Sequence, residues 1–264
     1  MEFNFFDWGV LETKIKKRNK INETLDKLAT YVILNKKDTI KVLPKGKTLY
    51  RARIFDKKID LRKGRETGFY GFNAEGSTAP KSNIVKRGNR VNRVHESVLY
   101  TADNMYTAIS EARPSKRQQV SIAEIELLDN QKVAVFEFDE KGFNNEDLAE
   151  YFYSEMSLSF FLAVSENSRK EYLVTQYIAS KVKEMGLDGI MYSSSLSSYG
   201  MNIALFNPGK AKANWSKIFG TQAVLICAEE LLPRENNERL LPISITRTFT
   251  KDKIDEFFRL NKSI

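Results

Sequence analysis

A chain of 264 residues with 42% hydrophobic and 29% charged side chains has the balance of an ordinary globular protein and can bury a sizeable core in one or two domains. One cysteine, Cys227, and one histidine, His95, exclude an intrachain disulfide, a Cys/His zinc cluster and an HExxH helix, and no metal site is expected. The formal charge of +8 is uneven: residues 1–100 carry 23 Lys and Arg against 11 Asp and Glu, which favours an anionic partner there.

Nucleic acid, a solvated lysine-rich face and a small phosphorylated substrate all satisfy that charge, which does not choose among them. Any catalysis falls to Arg, Glu, Tyr and Ser. The longest apolar patches, Phe160–Val164 and Ala223–Ala228, are far short of a membrane span. The start, Met1–Asp7, lacks the basic n-region of a signal peptide, so a cytoplasmic protein is expected.

Along the chain, Ile21, Leu25, Leu28 and Val32 recur at helical spacing within 11–34, with a basic polar face. Strands are expected at Thr39–Leu43 and Thr48–Ile54, separated by the Pro44-Lys45-Gly46-Lys47 turn. Residues 56–93 show no sustained period and are rich in Gly, Asn, Ser, Lys and Arg; a loop of this length is usually functional or disordered. Ser97–Ala102 reads as a buried strand, and Asp103 is placed to cap a helix whose apolar face is Met105, Ala108, Ile109 and Ala112.

Val120–Leu127 and Lys132–Phe138 read as strands joined by a hairpin turn at Asp129-Asn130. Helices follow at Asn145–Val164 and Arg169–Met185, with Gly186 as a stop. Gly189–Ser193 and Asn202–Phe206 read as strands around a serine-rich loop. Ala223–Cys227, Ile243–Thr248 and a final helix at Lys251–Leu260 complete the reading. Without a regular β-α-β alternation the class is α+β. There is no internal repeat, P-loop or GxGxxG.

Four clusters could carry chemistry. Tyr50-Arg51-Ala52-Arg53 puts two arginines on one side of a strand, where a structural ion pair is the commoner role. Gly88-Asn89-Arg90-Val91-Asn92-Arg93 is a basic loop. Leu99-Tyr100-Thr101-Ala102-Asp103 precedes Ala108-Ile109-Ser110-Glu111-Ala112-Arg113-Pro114, where Glu111 borders the apolar stripe and can be aimed into a cleft. Asp188-Gly189-Ile190-Met191-Tyr192-Ser193-Ser194-Ser195 is followed by Gly200-Met201-Asn202. Each alone reads as ordinary surface, boundary or loop.

Taken in order, together with Thr175-Gln176-Tyr177-Ile178-Ala179, these segments resemble the RES domain, a family named for its Arg, Glu and Ser. The resemblance covers about residues 47–210. It implies an ADP-ribosyltransferase-like mixed sheet core with flanking helices, and a division into an N-terminal helical extension, 1–46, and a RES domain, 47–264. Carried over residue by residue, it places the family's Arg at Arg51, its Tyr at Tyr100, its Glu at Glu111 and its Ser at Ser194, with Ser193 and Ser195 as neighbours that leave the position open by one. Arg53, Arg90, Asn92 and Asn202 are the implied substrate-binding residues. Asn89 stands where the family has Gly, with Gly88 next to it, and Arg93 where it has Pro.

The implied activity is NAD⁺ degradation by cleavage of the nicotinamide–ribose bond, as a phosphorylase or a glycohydrolase, in a growth-arresting bacterial toxin. The residue inventory suits this chemistry. Nicotinamide leaves as a neutral molecule, so no cofactor, metal or histidine is required, and a carboxylate can stabilise the oxocarbenium-like transition state. Arginines can hold the pyrophosphate. The expected partners are NAD⁺, inorganic phosphate or water as acceptor, and an antitoxin, without a membrane. ADP-ribosyl transfer to a protein or nucleic acid is the alternative; a non-enzymatic, basic nucleic-acid-binding module ranks behind both.

Overall fold

The computed structural model of the chain describes residues 5–6, 8–17, 23–36, 38–138, 147–162, 172–197, 200–221 and 249–250. In chain order these form β1 (Phe5–Phe6), α1 (Trp8–Lys16), α2 (Glu23–Asn35), β2 (Ile40–Leu43), β3 (Thr48–Phe55), α3 (Leu61–Thr67), α4 (Ala74–Ser77), β4 (Leu99–Ala102) and α5 (Met105–Ala112). Then come β5 (Gln119–Leu127), β6 (Gln131–Phe136), α6 (Leu148–Phe161), α7 (Tyr172–Glu184), β7 (Gly189–Ser193), β8 (Met201–Leu205), β9 (Ala211–Gly220) and β10 (Phe249–Thr250). The class is α+β, as expected: a mixed eight-stranded sheet with flanking helices. The strands expected at Ala223–Cys227 and Ile243–Thr248, the helix at Lys251–Leu260 and Cys227 itself lie outside the described residues.

The helical period of 11–34 falls on two helices, α1 and α2. Within 56–93, read from sequence as irregular, stand α3 and α4. Asp60 accepts from the Lys63 N–H and Asn73 from the Gly76 N–H to start them. Helices this short show too little of the 3.6-residue period to be read from it. The cap of α5 also differs from expectation. Asn104, not Asp103, accepts from the Thr107 N–H. The Asp103 carboxylate instead accepts from the Met201 N–H and the Asn104 amide, which ties α5 to β8. Gly186, with φ 73°, ends the turn after α7 as expected.

The sheet order is β2-β6-β7-β8-β4-β3-β5-β9. Strands β5 and β6 are therefore not a hairpin, which corrects the reading of Asp129-Asn130. Both edges of β5 are filled by β3 and β9, so the chain crosses to the far leaf, where β6 pairs antiparallel with β2 and parallel with β7. A turn dipeptide reports a change of direction and says nothing about which strand the chain then meets.

Strand β6 buries both faces. Val133 and Val135 join Leu49, Leu99, Ile125, Ile203 and Leu205 on one side; Ala134 and Phe136 join the helical side on the other. There Phe136 stacks on Phe160 at 4.8 Å, and Trp8, Leu11, Leu28, Val32, Phe152 and Val174 bring α1, α2, α6 and α7 into one core. The residues before 47 thus supply two core helices and the edge strand β2. Asp26 adds a polar clip between α2 and α7, accepting from the Tyr177 hydroxyl at 2.6 Å and from Lys181 at 2.8 Å.

One irregularity positions the site. Strands β3 and β5 pair from Thr48↔Glu126 to Phe55↔Gln119, whereas β3 and β4 share the single pair Tyr50↔Ala102. Strand β4 instead pairs along its length with β8. The two leaves of the sheet consequently splay apart at the β3–β4 seam.

Candidate active site

At that seam lies a cavity of about 400 Å³. Tyr50, Arg51 and Ala52 line it from β3, and Tyr100, Thr101 and Ala102 from β4. Glu111 and Arg113 enter from the end of α5, Tyr192 and Asn202 from β7 and β8, Asn89 and Arg90 from the 88–93 loop, and Tyr172 from the start of α7. The charged lining residues are three arginines and one glutamate, a balance suited to an anionic ligand. His95 is not among the lining residues.

Glu111 is exposed to the cavity and tightly oriented. Its Oε1 accepts from Ser194 Oγ at 2.7 Å and from Asn202 Nδ2 at 2.7 Å, while Oε2 makes no hydrogen bond among the described residues. Ser194 and Asn202 are each 6% exposed. Ser194 Oγ accepts in turn from the Leu196 N–H, so its own proton points at Glu111. Of the three serines, this one meets the carboxylate: Ser193 Oγ accepts from the Phe138 N–H, and Ser195 is exposed. Charge-assisted bonds of this length fix a carboxylate more firmly than neutral ones.

Arg51 donates to the Thr78 carbonyl at 2.5 Å and has no ion-pair partner among the described residues. Burial, helped by the nearby Arg53 charge, pushes its guanidinium down to about 10. It is still cationic at neutral pH. A desolvated cation with donors left over is a natural anion site. Arg53 lies outside the cavity. It donates to the Gly76 carbonyl and stacks on Phe72, 4.2 Å from the ring.

The Tyr100 ring lines the cavity, but its hydroxyl is committed. It donates to Asn92 Oδ1 at 2.8 Å and accepts from the Val91 N–H at 3.0 Å. Burial, reinforced by Tyr192, pushes its ionisation far up, so it offers an aromatic face and no base. Asn92 is buried beside it and does not line the cavity; its amide donates to the Arg93 carbonyl. Arg90 reaches the cavity between the Tyr172 and Tyr192 rings, while its terminal nitrogens donate to the Ser159, Phe160 and Leu162 carbonyls at the end of α6. It thereby complements that helix's negative end, while Nε and one terminal N–H make no hydrogen bond among the described residues.

Sequence reasoning missed Arg113, Tyr172 and Tyr192 as lining residues. Arg113 is the left-handed cap of α5, with φ 48°, and its exposed side chain makes no hydrogen bond or ion pair among the described residues. Its place just before Pro114, two residues after Glu111, was the available signal. Tyr192 is buried in the Asp-Gly-Ile-x-Tyr segment, and burial raises its ionisation too. Nothing local marks Tyr172.

The fold and site define a class: an α+β domain whose parted sheet holds a cationic cavity around one oriented carboxylate. The chain belongs to the RES domain family, whose model matches residues 63–218, more than half of its length. At the level of that family, membership carries NAD⁺ degradation. Arg90, Asn92, Tyr100, Glu111, Ser194 and Asn202 fall within the match; Arg51 and Arg53 precede it. A similar solved structure is that of the M. tuberculosis MbcT–MbcA toxin–antitoxin complex, at 12% identity and a TM-score of 0.41, covering 76% of this chain and 94% of that one. No curated protein matches the chain. No helix among the described residues is long and apolar enough to cross a membrane.

Proposed function

We propose that this chain cleaves the nicotinamide–ribose bond of NAD⁺ in the seam cavity and acts as a growth-arresting toxin. The observation that carries the reading is the pairing, in one cavity, of the half-buried Arg51, which has no ion-pair partner among the described residues, with the oriented Glu111. Arg51 and the free donors of Arg90 take the pyrophosphate, and the Tyr100 ring takes an aromatic or ribose face of the substrate. Glu111 Oε2 then meets the ribose as positive charge develops on it.

As the C–N bond breaks, its electron pair leaves with nicotinamide, which becomes neutral. An oxygen of inorganic phosphate or water forms the new bond to the ribose carbon, and attacking water gives its proton to solvent. Electrostatic stabilisation and fixed geometry supply the acceleration, with no cofactor beyond the substrate itself. Arg53 and Asn92, outside the cavity wall, serve the neighbouring backbone. Family membership also suggests an antitoxin that covers the cavity in the cytoplasm.

The test is to mix purified protein with NAD⁺, with and without inorganic phosphate, and resolve the products by mass. Nicotinamide with ADP-ribose or its phosphate ester is expected, and identifies the acceptor. Glu111→Gln should lower turnover by about 10²–10³-fold while NAD⁺ still binds. In cells, expression should deplete NAD⁺, and Arg51→Ala or Glu111→Ala should restore growth. Intact NAD⁺ in every tube would overturn the reading; label transferred to a lysate protein or nucleic acid would instead support macromolecular ADP-ribosylation.

A further inference from the structure

The Thr175-Gln176-Tyr177-Ile178-Ala179 segment is prominent in the sequence, yet none of it lines the cavity. In the structure it divides in two. Ile178 and Ala179 are buried in the helical core. Thr175 and Gln176, on the first turns of α7, turn instead to the 88–93 loop. Thr175 Oγ1 donates to the Arg90 carbonyl at 2.6 Å, and Gln176 Nε2 donates to the carbonyls of Asn89 at 2.8 Å and Asn92 at 3.1 Å.

These two side chains therefore take three of the loop's carbonyls. From the opposite side the Tyr100 hydroxyl takes the Val91 N–H, and within the loop the Asn89 N–H donates to the Asn92 carbonyl at 2.9 Å. These bonds tie the loop backbone to α7 on one side and β4 on the other, and Asn89 and Arg90 between them line the cavity. Close approach of Gln176 also accounts for Gly88: a Cβ there would lie 2.9 Å from Gln176 Nε2 and 3.1 Å from the Asn92 carbonyl oxygen. Glycine at 88 thus leaves the space that the clamp occupies.

We infer that Thr175 and Gln176 are positioning residues, acting through the 89–92 backbone to set Asn89 and Arg90 against the substrate. The inference rests on the proposed NAD⁺ reaction for its catalytic consequence, and on geometry alone for the clamp. A hydroxyl and an amide on adjacent helical positions bracket the loop at several points, where one bond would leave it free to pivot.

The experiment uses the full chain with Thr175→Val and Gln176→Glu, which keep shape and remove the donors, and Thr175→Ser, which keeps the hydroxyl. Two readouts are taken: steady-state kinetics with NAD⁺, and amide hydrogen exchange over 88–93. We expect Thr175→Val and Gln176→Glu to raise KM by about ten-fold or more with a smaller change in kcat. Exchange across the loop should quicken by about ten-fold while the sheet amides stay protected. Thr175→Ser should match the wild type in both.

Unchanged exchange in Thr175→Val and Gln176→Glu overturns the clamp whatever the activity. Faster exchange with wild-type KM overturns its role in substrate positioning. A wild-type chain that releases no nicotinamide overturns the functional reading and the catalytic assignment with it, and exchange still decides whether the pair holds the loop.

Discussion

Ser194 Oγ and Glu111 Oε1 lie 2.7 Å apart, joining the loop after β7 to the last turn of α5. Asn202 Nδ2 reaches the same oxygen from β8. Both donors come from the β7–β8 unit, whose strands are registered at Tyr192↔Asn202 and Ser193↔Met201. One carboxylate oxygen is thus held by two scaffold donors, and the other makes no hydrogen bond among the described residues.

Losing either donor should let the carboxylate rotate. Ser194→Ala or Asn202→Ala is expected to reduce kcat/KM for NAD⁺ cleavage by roughly ten- to a hundred-fold, the scale of a lost charge-assisted bond. Because both donors orient one oxygen, the double variant should fall by less than the product of the two single losses. Kinetics on the four proteins checks this; independent, multiplying effects would show that the donors do not act as one unit.

Arg51 presents a trade between stability and binding. Its charge is desolvated without an ion-pair partner among the described residues, so Arg51→Met should raise the thermal midpoint of the ligand-free protein. For a chain of this size each kcal/mol is worth roughly 2–4 °C. The same change should weaken NAD⁺ binding by on the order of a hundred-fold. Thermal unfolding and calorimetric titration test the two halves, and a fall of several degrees would make the guanidinium a structural group.

Much of the site could be read in the sequence because its residues sit at the ends of regular elements. Glu111 closes a helix whose apolar stripe is visible, and Ser194 and Asn202 flank a strand pair with clear boundaries. What escaped depends on tertiary placement. Arg51 and Arg53 stand two apart on β3 and share a face as the sequence implies, yet Arg53 is drawn off to the Gly76 carbonyl and the Phe72 ring. The β5–β6 connection has hairpin chemistry, but the pairing of β5 with β3 and β9 had already filled its edges. Tyr172 reaches the cavity only because α7 packs where it does.

The Asp26 clip gives a pH-dependent contribution with a definite sign. Burial pushes its carboxyl up, but hydrogen bonds from Lys181 and Tyr177 outweigh this and hold it below its ordinary 3.8. A depressed carboxyl stabilises the fold fully above its unfolded value and ceases to do so as pH falls through the folded one. Asp26→Asn should therefore lower the thermal midpoint at neutral pH, and the gap to wild type should close in acid. Melting both proteins from about pH 7 to about pH 3 checks this; a gap that persists at the acid end would place its origin in packing.

Gly200 immediately precedes β8 and lies against α5. Its carbonyl accepts from the Ser194 N–H at 2.9 Å, and its backbone runs against buried Thr107. A Cβ at this position would lie 1.9 Å from Thr107 Oγ1 and 2.8 Å from its Cγ2. Thr107 is fully buried on α5, where its N–H donates to the Asn104 cap, so the loop must yield more readily than the helix. Gly200→Ala should push the Gly200 backbone away from α5 and, through the hydrogen bond it accepts from the Ser194 N–H, draw Ser194 off Glu111, lowering kcat by about ten- to a hundred-fold. Thr107→Ala in the same chain removes the two nearest atoms, leaving only the Thr107 Cβ at 2.9 Å, and should restore part of the loss. Full activity of Gly200→Ala alone would show that the Ser194–Glu111 contact does not depend on this close approach.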